Sequence, residues 1–341
     1  MKSINRFALS GALVSVALLL TACAPATGEA ATPGAPVDVN ETLDVAFFGF
    51  AASNSFAQGT FVGVKEAAEA NNATATFVDP NFDATTQAKQ VQDAVTSKQF
   101  DVIVIQANDN QLLIDPLQQA IDAGITVVVE FSVVGPKFDT IDPQLPGAIS
   151  VVDVPTTNGK ALGEMAKEAC ATVSGDTCEV AYLEGFKSLP LDNARTDAVK
   201  AELVTDPKIK LVASVEGGYT QDGGRKAFQD ISQANPNVDV IIGSSQAVTG
   251  AALVAGEDSD IKFIGNGASA SNVEAVRSGK WFSIYVTDVV ANGKKATELG
   301  LAHARGEKVE TAVDERTIAP NDSLGTKEAL DAVDYKSGYS D

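Results

Sequence analysis

Short apolar runs alternate along the chain with longer segments in which apolar residues recur at every third or fourth position. Residues 43–50 and 101–105 are such runs, rich in β-branched and aromatic side chains. The segment between them places Ala84 and Ala88 on one face of a helix. This alternation is typical of parallel α/β sheets. The same cycle precedes and follows residues 148–155, which predicts two doubly wound, Rossmann-like parallel-sheet lobes joined at this stretch.

Each predicted strand ends in a loop of polar or small residues. The carboxyl ends of parallel strands share one edge of a sheet, and the helices that follow point their free N–H groups toward that edge. Two such edges facing each other predict a cleft that binds a ligand rich in hydroxyl groups. The candidate ligand-binding residues in these loops are Asn54, Phe56, Glu130, Asn193, Arg195, Tyr219, Gln246, Asn266 and Asp288. For each of them the alternative is a helix cap or a core aromatic residue.

The composition narrows the classes of function. A chain of 341 residues, 45% of them hydrophobic, can form two substantial cores. The formal net charge of -20 argues against binding to nucleic acid or to an anionic membrane surface, since either would require clustered Lys and Arg. We therefore expect a small polar ligand and no nucleic-acid partner.

The amino terminus has the pattern of an export signal. Lys2 and Arg6 precede an apolar stretch at 7–20, and Leu-Thr-Ala-Cys follows at 20–23. This order resembles a bacterial lipoprotein signal at 1–22, cleaved before Cys23, whose sulfur then carries a diacylglycerol. The alternatives are an ordinary signal peptide and an uncut membrane anchor.

The residues after Cys23 are rich in Ala, Pro, Thr and Gly and show no apolar periodicity, so we expect a flexible tether at 23–41. A lipid and a tether would hold an exported body at the outer face of the cell membrane without inserting it. The signal also argues against the effector lobe of a repressor, which would carry a basic helix pair at its start.

Two cysteines remain, Cys170 and Cys178, on either side of a predicted helix-to-strand turn. Because the chain is predicted to be exported to an oxidising space, we expect a disulfide that closes this turn. The alternatives are two buried free thiols and a metal site, which would lack nearby histidine ligands.

Enzymatic chemistry has little support in the sequence. His303 is the only histidine, and it lies late in a predicted helix, far from the strand-end loops. No G-x-S-x-G, P-loop or H-E-x-x-H pattern occurs. Glu130 and Asp288 could act as an acid–base pair, but no spacing rule joins them. We therefore predict no enzyme, no cofactor and no metal.

One motif favours a different class of protein. Residues 265–270 match G-x-G-x-x-A between a predicted strand and a predicted helix, as in dinucleotide-binding enzymes. The acidic residue about 20 positions further on, Asp288, comes only after the next strand has ended. The motif therefore leaves two possibilities, an NAD-type enzyme and a glycine-rich loop of a binding cleft.

Four stretches, at 54–63, 114–125, 234–241 and 306–309, carry a family resemblance. They resemble the type I periplasmic binding proteins, in particular the ribose-binding-type sugar receptors of ABC importers. The resemblance extends over about 43–319. It implies lobes formed by 42–152 with 289–311 and by 153–288 with 312–341, joined by three crossover strands near 150–155, 286–290 and 311–315. It also implies a monomer that closes around its ligand and is then recognised by a membrane permease.

Carried over by position, Asn54 and Phe56 match a hydrogen-bonding residue and a stacking aromatic residue of these receptors. Tyr219 matches a second aromatic residue and Arg195 an arginine, while Asn193 replaces another arginine. Further sugar-binding positions are replaced by Ala57, Phe131, Ser132, Ser245, Gly267 and Thr287. These departures argue against a common aldose and leave open a less polar or modified polyol, or a nucleoside-like compound. A sensory co-receptor, which passes its closed state to a signalling partner, is a further alternative.

Overall fold

Two β-sheets lie at the centres of two lobes in the computed structural model, which describes residues 41–340. The strands in these residues are β1 (Leu43–Phe48), β2 (Ala73–Val78), β3 (Val102–Ile105), β4 (Thr126–Phe131), β5 (Ile149–Val152), β6 (Cys178–Glu184), β7 (Ile209–Glu216), β8 (Val240–Ser244), β9 (Lys262–Asn266), β10 (Ser283–Tyr285), β11 (Ala312–Asp314) and β12 (Leu324–Gly325). The helices are α1 (Ser55–Ala70), α2 (Ala84–Ser97), α3 (Ile114–Asp122), α4 (Pro155–Thr172), α5 (Pro190–Leu203), α6 (Gln221–Ala234), α7 (Ser245–Ala255), α8 (Ala270–Arg277), α9 (Val289–Ala304) and α10 (Lys327–Ala332).

The order of the strands is that of doubly wound sheets. The first sheet runs β11-β5-β4-β3-β1-β2, and each of its neighbouring pairs is parallel. The second runs β12-β10-β9-β8-β6-β7 and is parallel except for β12, which pairs antiparallel with β10. The predicted fold of two parallel α/β lobes is therefore confirmed.

Apolar residues fill both faces of each sheet. Phe47 on β1 packs into one core cluster with helices α1 and α9, while its neighbour Phe48 packs into the cluster on the opposite face, with α2 and α3. Successive strand residues point to opposite faces, so a strand buried on both sides needs a continuous apolar run. The predicted strands at 43–50 and 101–105 have that composition for this reason.

Polar side chains at the strand ends begin the helices. Asn54, Asp83 and Thr220 cap α1, α2 and α6 by accepting a backbone N–H bond on their side chains. In the second lobe, Ser244 ends β8 and caps α7 directly. One serine therefore serves as both strand end and helix cap.

Helix α9 follows the second lobe in sequence but packs on the first sheet and on α1. The contact with α1 is unusually close, because a Cβ added at Gly63 would lie 1.9 Å from the Val290 carbonyl oxygen. A Cβ at Gly293 would likewise lie 2.1 Å from the Thr60 carbonyl oxygen. Two glycines in contact with the facing backbone thus fix α9 to the first lobe.

The third crossover lies within the expected stretch at 311–315, but the lobe boundary lies slightly later than the resemblance implied. Residues 312–314 were assigned to the second lobe, but β11 pairs in parallel with β5 and belongs to the first sheet. The apolar Val313 packs in the first-lobe core, which holds this short strand there. The chain therefore leaves the first lobe after Asp314.

The predicted disulfide is present. The Cys170 and Cys178 sulfurs are 2.01 Å apart, and the bond joins the end of α4 to the start of β6. The signal, Cys23 and the tether up to residue 40 lie outside the described residues. Among residues 41–340, none of the helices combines the length and apolar character required to cross a bilayer.

Candidate functional site

The lobes touch where the loops after β4 and β5 approach the start of the second lobe. Leu191 in the first turn of α5 packs against the core cluster of the first lobe. The Thr156 N–H and hydroxyl groups, at the start of α4, both donate to the Phe138 carbonyl oxygen, at 3.2 and 3.0 Å. The carboxyl ends of the strands of both sheets border this region, so a cleft between the lobes is the candidate site.

An aromatic cluster covers the first-lobe side of the cleft. The Phe56 ring, at the start of α1, lies 4.8 Å from the Phe131 ring and 6.5 Å from the Phe50 ring, measured between centroids. Phe131 adopts a positive φ of 60° at the end of β4, which turns the chain out of the sheet. Of the predicted residues, Phe56 thus lies in the cleft, although neighbouring rings cover part of its surface.

Asn54 and Glu130 have structural roles, since Asn54 caps a helix and Glu130 is buried. The Asn54 side-chain oxygen accepts the Ala57 N–H at 2.8 Å and caps α1. Glu130 is fully buried, with its carboxyl group in the interior and not in the cleft. Side chains alternate along β4, so the same alternation that brings Phe131 to the aromatic cluster turns Glu130 away from it.

The second-lobe side contains a buried charge network around Arg195. Its guanidinium donates to Asp192 Oδ1 at 2.8 Å and to the Tyr219 hydroxyl at 3.1 Å. Tyr219 in turn donates its hydroxyl to Asp192, and its ring stands edge-on to Phe186, with centroids 5.3 Å apart. Arg195 and Tyr219 are therefore brought together. Arg195 Nη1 and the Tyr219 hydroxyl already bond to the protein, whereas the buried Arg195 Nε has no hydrogen-bond partner among the described residues.

Asn193 does not join this network. Its side chain is exposed and donates to the Lys187 carbonyl oxygen at 3.1 Å. It lies on the face of α5 away from Arg195, because two positions on a helix are about 200° apart.

The remaining predicted residues bond to neighbouring protein groups. Asn266 pairs with Asn158 through two amide hydrogen bonds of 3.0 and 3.3 Å. Gln246 accepts a hydrogen bond from the Ser245 hydroxyl at 3.1 Å. Asp288 caps α9 through the Ala291 N–H, and burial raises the pKa of its carboxyl group. Asn158 and Ser245 are thus additional polar residues of the region.

Tyr339, near the carboxyl terminus, lies in the cleft. Its ring centroid is 5.5 Å from that of Phe56, and its hydroxyl accepts the Ala268 N–H at 2.7 Å. Its carbonyl oxygen accepts the Ala270 N–H at 3.0 Å, at the start of α8. No local pattern marks this residue, because it lies 71 positions from Ala268.

The contact between Tyr339 and the loop at 265–270 argues against a dinucleotide site at the G-x-G-x-x-A motif. A dinucleotide site presents the free N–H groups of the loop and helix start to phosphate oxygens. Here the Ala268 N–H donates to the Tyr339 hydroxyl, and the Ala270 N–H donates to the Tyr339 carbonyl oxygen. These two N–H groups are therefore not free to bind a phosphate.

An open depression lies beside the carboxyl-terminal segment, along the first turns of α1. Its volume is about 420 Å³. The residues that line it are Ser53, Ser55, Gln58, Gly59, Val62, Gly338, Tyr339 and Ser340. Hydroxyl, amide and aromatic groups in such a lining suit a small polyhydroxylated molecule.

Behind the cleft, three carboxyl groups are buried where the chain crosses between lobes. Burial raises the pKa of Glu130 to about 8 and that of Asp153 to about 6. Burial, together with the nearby Glu130 charge, raises the pKa of Glu315 well above its usual range. The Tyr285 hydroxyl donates to Asp153 at 2.7 Å, and the Phe131 N–H donates to Glu315 at 3.0 Å.

Most of the chain matches one known protein family. Residues 45–308 match the family model described as periplasmic binding protein domain. No curated protein sequence matches the chain.

Solved structures share the fold. An ABC transporter solute-binding protein from Mycobacterium smegmatis with bound glycerol is 25% identical over 88% of this chain and all of its own, with a TM-score of 0.72. A periplasmic solute-binding protein from Actinobacillus succinogenes with bound D-allose is 19% identical over 85% of this chain and 100% of its own, with a TM-score of 0.73. A solute-binding protein from Bacillus halodurans with bound myo-inositol is 19% identical over 87% of this chain and 98% of its own, also with a TM-score of 0.73.

Proposed function

Because the chain belongs to the periplasmic binding protein domain family, we propose that it binds a small sugar-like solute between its lobes and delivers it to the permease of an ABC importer. The observation that carries this proposal is the cleft itself. Two sheets, parallel except for β12, present the carboxyl ends of their parallel strands to one region. That region contains aromatic rings and hydroxyl and amide groups. The bound glycerol, D-allose and myo-inositol of the similar structures support a polyhydroxylated solute.

The proposed mechanism uses binding energy to change the arrangement of the lobes. A ligand that contacts both lobes favours the closed arrangement by the difference between its affinities for the closed and open forms. A micromolar dissociation constant corresponds to about 8 kcal/mol, enough to supply a few kcal/mol for closure. The permease would recognise the closed form, so no covalent chemistry is required of the protein.

An enzyme is the competing class, and the Tyr339 contact counts against its NAD form. A pyrophosphate at the 265–270 loop would have to displace the tail that bonds Ala268 and Ala270.

A lipid on Cys23 would keep the receptor at the outer face of the cell membrane, beside the permease.

Native mass spectrometry of the freshly purified full chain tests the proposal. We expect a noncovalent adduct with the mass of a polyol, a sugar or a related compound, which disappears after partial unfolding and refolding. A thermal-shift series with polyols, sugars, nucleosides and NAD then identifies the class. Stabilisation by NAD and by none of the others would favour the enzyme and contradict the proposal.

A further inference from the structure

The carboxyl-terminal segment at 336–340 touches both lobes. It leaves the second lobe after Tyr335, which packs in that lobe's core. Gly338 then lies against the first lobe, since a Cβ at Gly59 on α1 would be 2.7 Å from the Gly338 carbonyl oxygen. A Cβ on Gly338 itself would be 2.5 Å from Val290 on α9. Both glycines therefore allow the segment to enter a space that side chains would close.

Tyr339 places a six-membered ring with a hydroxyl group inside the cleft. The ring stands edge-on to Phe56 of the first lobe, at an interplanar angle of 69°. The hydroxyl bonds to the Ala268 N–H of the second lobe, and the side chain is only 7% exposed. Tyr339 thus fills a volume between the lobes that has an aromatic wall on one side and N–H donors on the other.

Gly267 leaves room for this hydroxyl. Its φ of +129° is one that L side chains rarely adopt, and a Cβ there would lie 3.0 Å from the Tyr339 oxygen and 2.8 Å from the Ser245 oxygen. A residue with a side chain at 267 would therefore compete with Tyr339 for the same space. Because Gly267 has no side chain, the space beside it is available to the Tyr339 hydroxyl.

An aromatic neighbour and hydrogen-bond donors around a hydroxylated ring are also what a pyranose ring requires. We infer that Tyr339 is a specificity-determining residue, which occupies the volume of one sugar ring and restricts the cleft to short acyclic polyols. This inference rests on the proposed function, because it states which solutes the proposed receptor accepts.

Isothermal titration calorimetry with glycerol, erythritol, D-ribose, D-allose and myo-inositol tests the inference on three forms of the full chain. These are the unchanged protein, Tyr339→Ala and Tyr339→Phe. We expect the unchanged protein to bind the acyclic polyols and to reject the six-membered rings. Tyr339→Phe should also reject the six-membered rings, since it retains the aromatic ring. Tyr339→Ala should gain at least tenfold in affinity for D-allose or myo-inositol.

A chain ending at Lys336 provides a second variant that should behave as Tyr339→Ala does, and circular dichroism verifies that each form is folded. An unchanged order of affinities in Tyr339→Ala and in the shortened chain would overturn the inference and leave the proposed function standing. Tight binding of D-allose by the unchanged protein would do the same. If none of the forms bound any polyol or sugar, both the proposed function and this inference would be wrong.

Discussion

Glu130 at the end of β4 and Glu315 just after β11 bury their carboxyl groups against each other where the chain crosses between the lobes. Both side chains are almost completely removed from water. Two adjacent carboxylates in such a place cannot both ionise without a large electrostatic cost. At neutral pH the pair therefore retains at least one proton, which makes the interlobe connection sensitive to pH.

The first prediction concerns this proton. The folded-state pKa of Glu130 is about 8, above its ordinary value of 4.5, so the folded protein holds a proton that the unfolded chain releases. The free energy of unfolding should therefore fall as pH rises from about 4.5 to about 8. Glu130→Gln should flatten this decline and raise the melting temperature at pH 8 by at least about 2 °C relative to the unchanged protein.

Thermal unfolding between pH 5 and pH 8 measures the effect. Glu66→Gln is the matched control, because Glu66 is exposed on α1 and away from the crossovers. A Glu130→Gln curve parallel to that of the control would contradict the proposed buried proton. Asp153, Asp314 and Arg316 also act on this cluster and should remain unchanged in the experiment.

The second prediction concerns the buried charge of Arg195. Asp192 accepts hydrogen bonds from Arg195, Tyr219 and the Phe186 N–H. Asp192→Asn removes the one carboxylate within salt-bridge distance of the buried guanidinium among the described residues, and breaking such a pair typically costs about 3–5 kcal/mol. Urea unfolding should show this loss, whereas Asp197→Asn, at an exposed position of the same helix, should change the unfolding free energy by less than about 0.5 kcal/mol. Equal losses in the two variants would refute a structural role for Asp192.

The third prediction separates the cleft from the core. Phe56→Ala should lower the affinity for solute by about 1–3 kcal/mol, because it removes an aromatic wall of the cleft. Phe61→Ala is the matched control on α1, since the Phe61 ring packs against Phe47 and Phe77. The control should lose stability but keep its affinity when both are measured by calorimetry well below the melting temperature. Equal affinities of the two variants would exclude Phe56 from solute binding.

The fourth prediction concerns the disulfide. Cys170 and Cys178 are separated by 8 positions, and a loop of this length contributes about 2–3 kcal/mol by restricting the unfolded chain. The double variant Cys170→Ala, Cys178→Ala should lose about this much in urea unfolding. Addition of a reducing agent should destabilise the unchanged protein and leave the double variant unaffected. An effect of the reductant on both would point to a cause other than this bond.

The fifth prediction concerns the amino terminus. If Cys23 carries a diacylglycerol, Cys23→Ser should move the protein from the membrane fraction to the soluble fraction of the cell envelope. Incorporation of a labelled fatty acid should disappear in the same variant. Retention in the membrane fraction by the serine variant would contradict lipidation at Cys23.

The sequence predicts the fold well because the signals of its elements are local. The caps Asn54 and Asp83, the apolar strands and the glycine at 124 each act within a few residues. The site is harder to predict because its contacts are long-range. The Asn158–Asn266 pair spans 108 positions, and nothing near Asn266 shows that its amide is already bonded.

The position of Glu130 shows a second reason why the site is hard to predict from the sequence. A polar residue at a strand end is normally expected to face the ligand. The Glu130 side chain faces the interior instead, because side chains alternate between the two faces along β4. Its neighbour Phe131, which reaches the cleft, is apolar and lacks the usual signal of a polar site. Sequence alone identified the edge of the sheet but not which of two adjacent side chains would face the ligand.

The packing of α9 against α1 has a consequence for how the protein is made. The apolar face of the first sheet is only partly covered by α1 until α9 packs on it. Helix α9 is translated only after the strands β6–β10 of the second lobe. The amino-terminal half therefore cannot complete its native structure while it emerges from the ribosome, although domains commonly fold in the order of their synthesis. Such a delay would keep the nascent polypeptide loose enough to pass through a secretion channel before it folds.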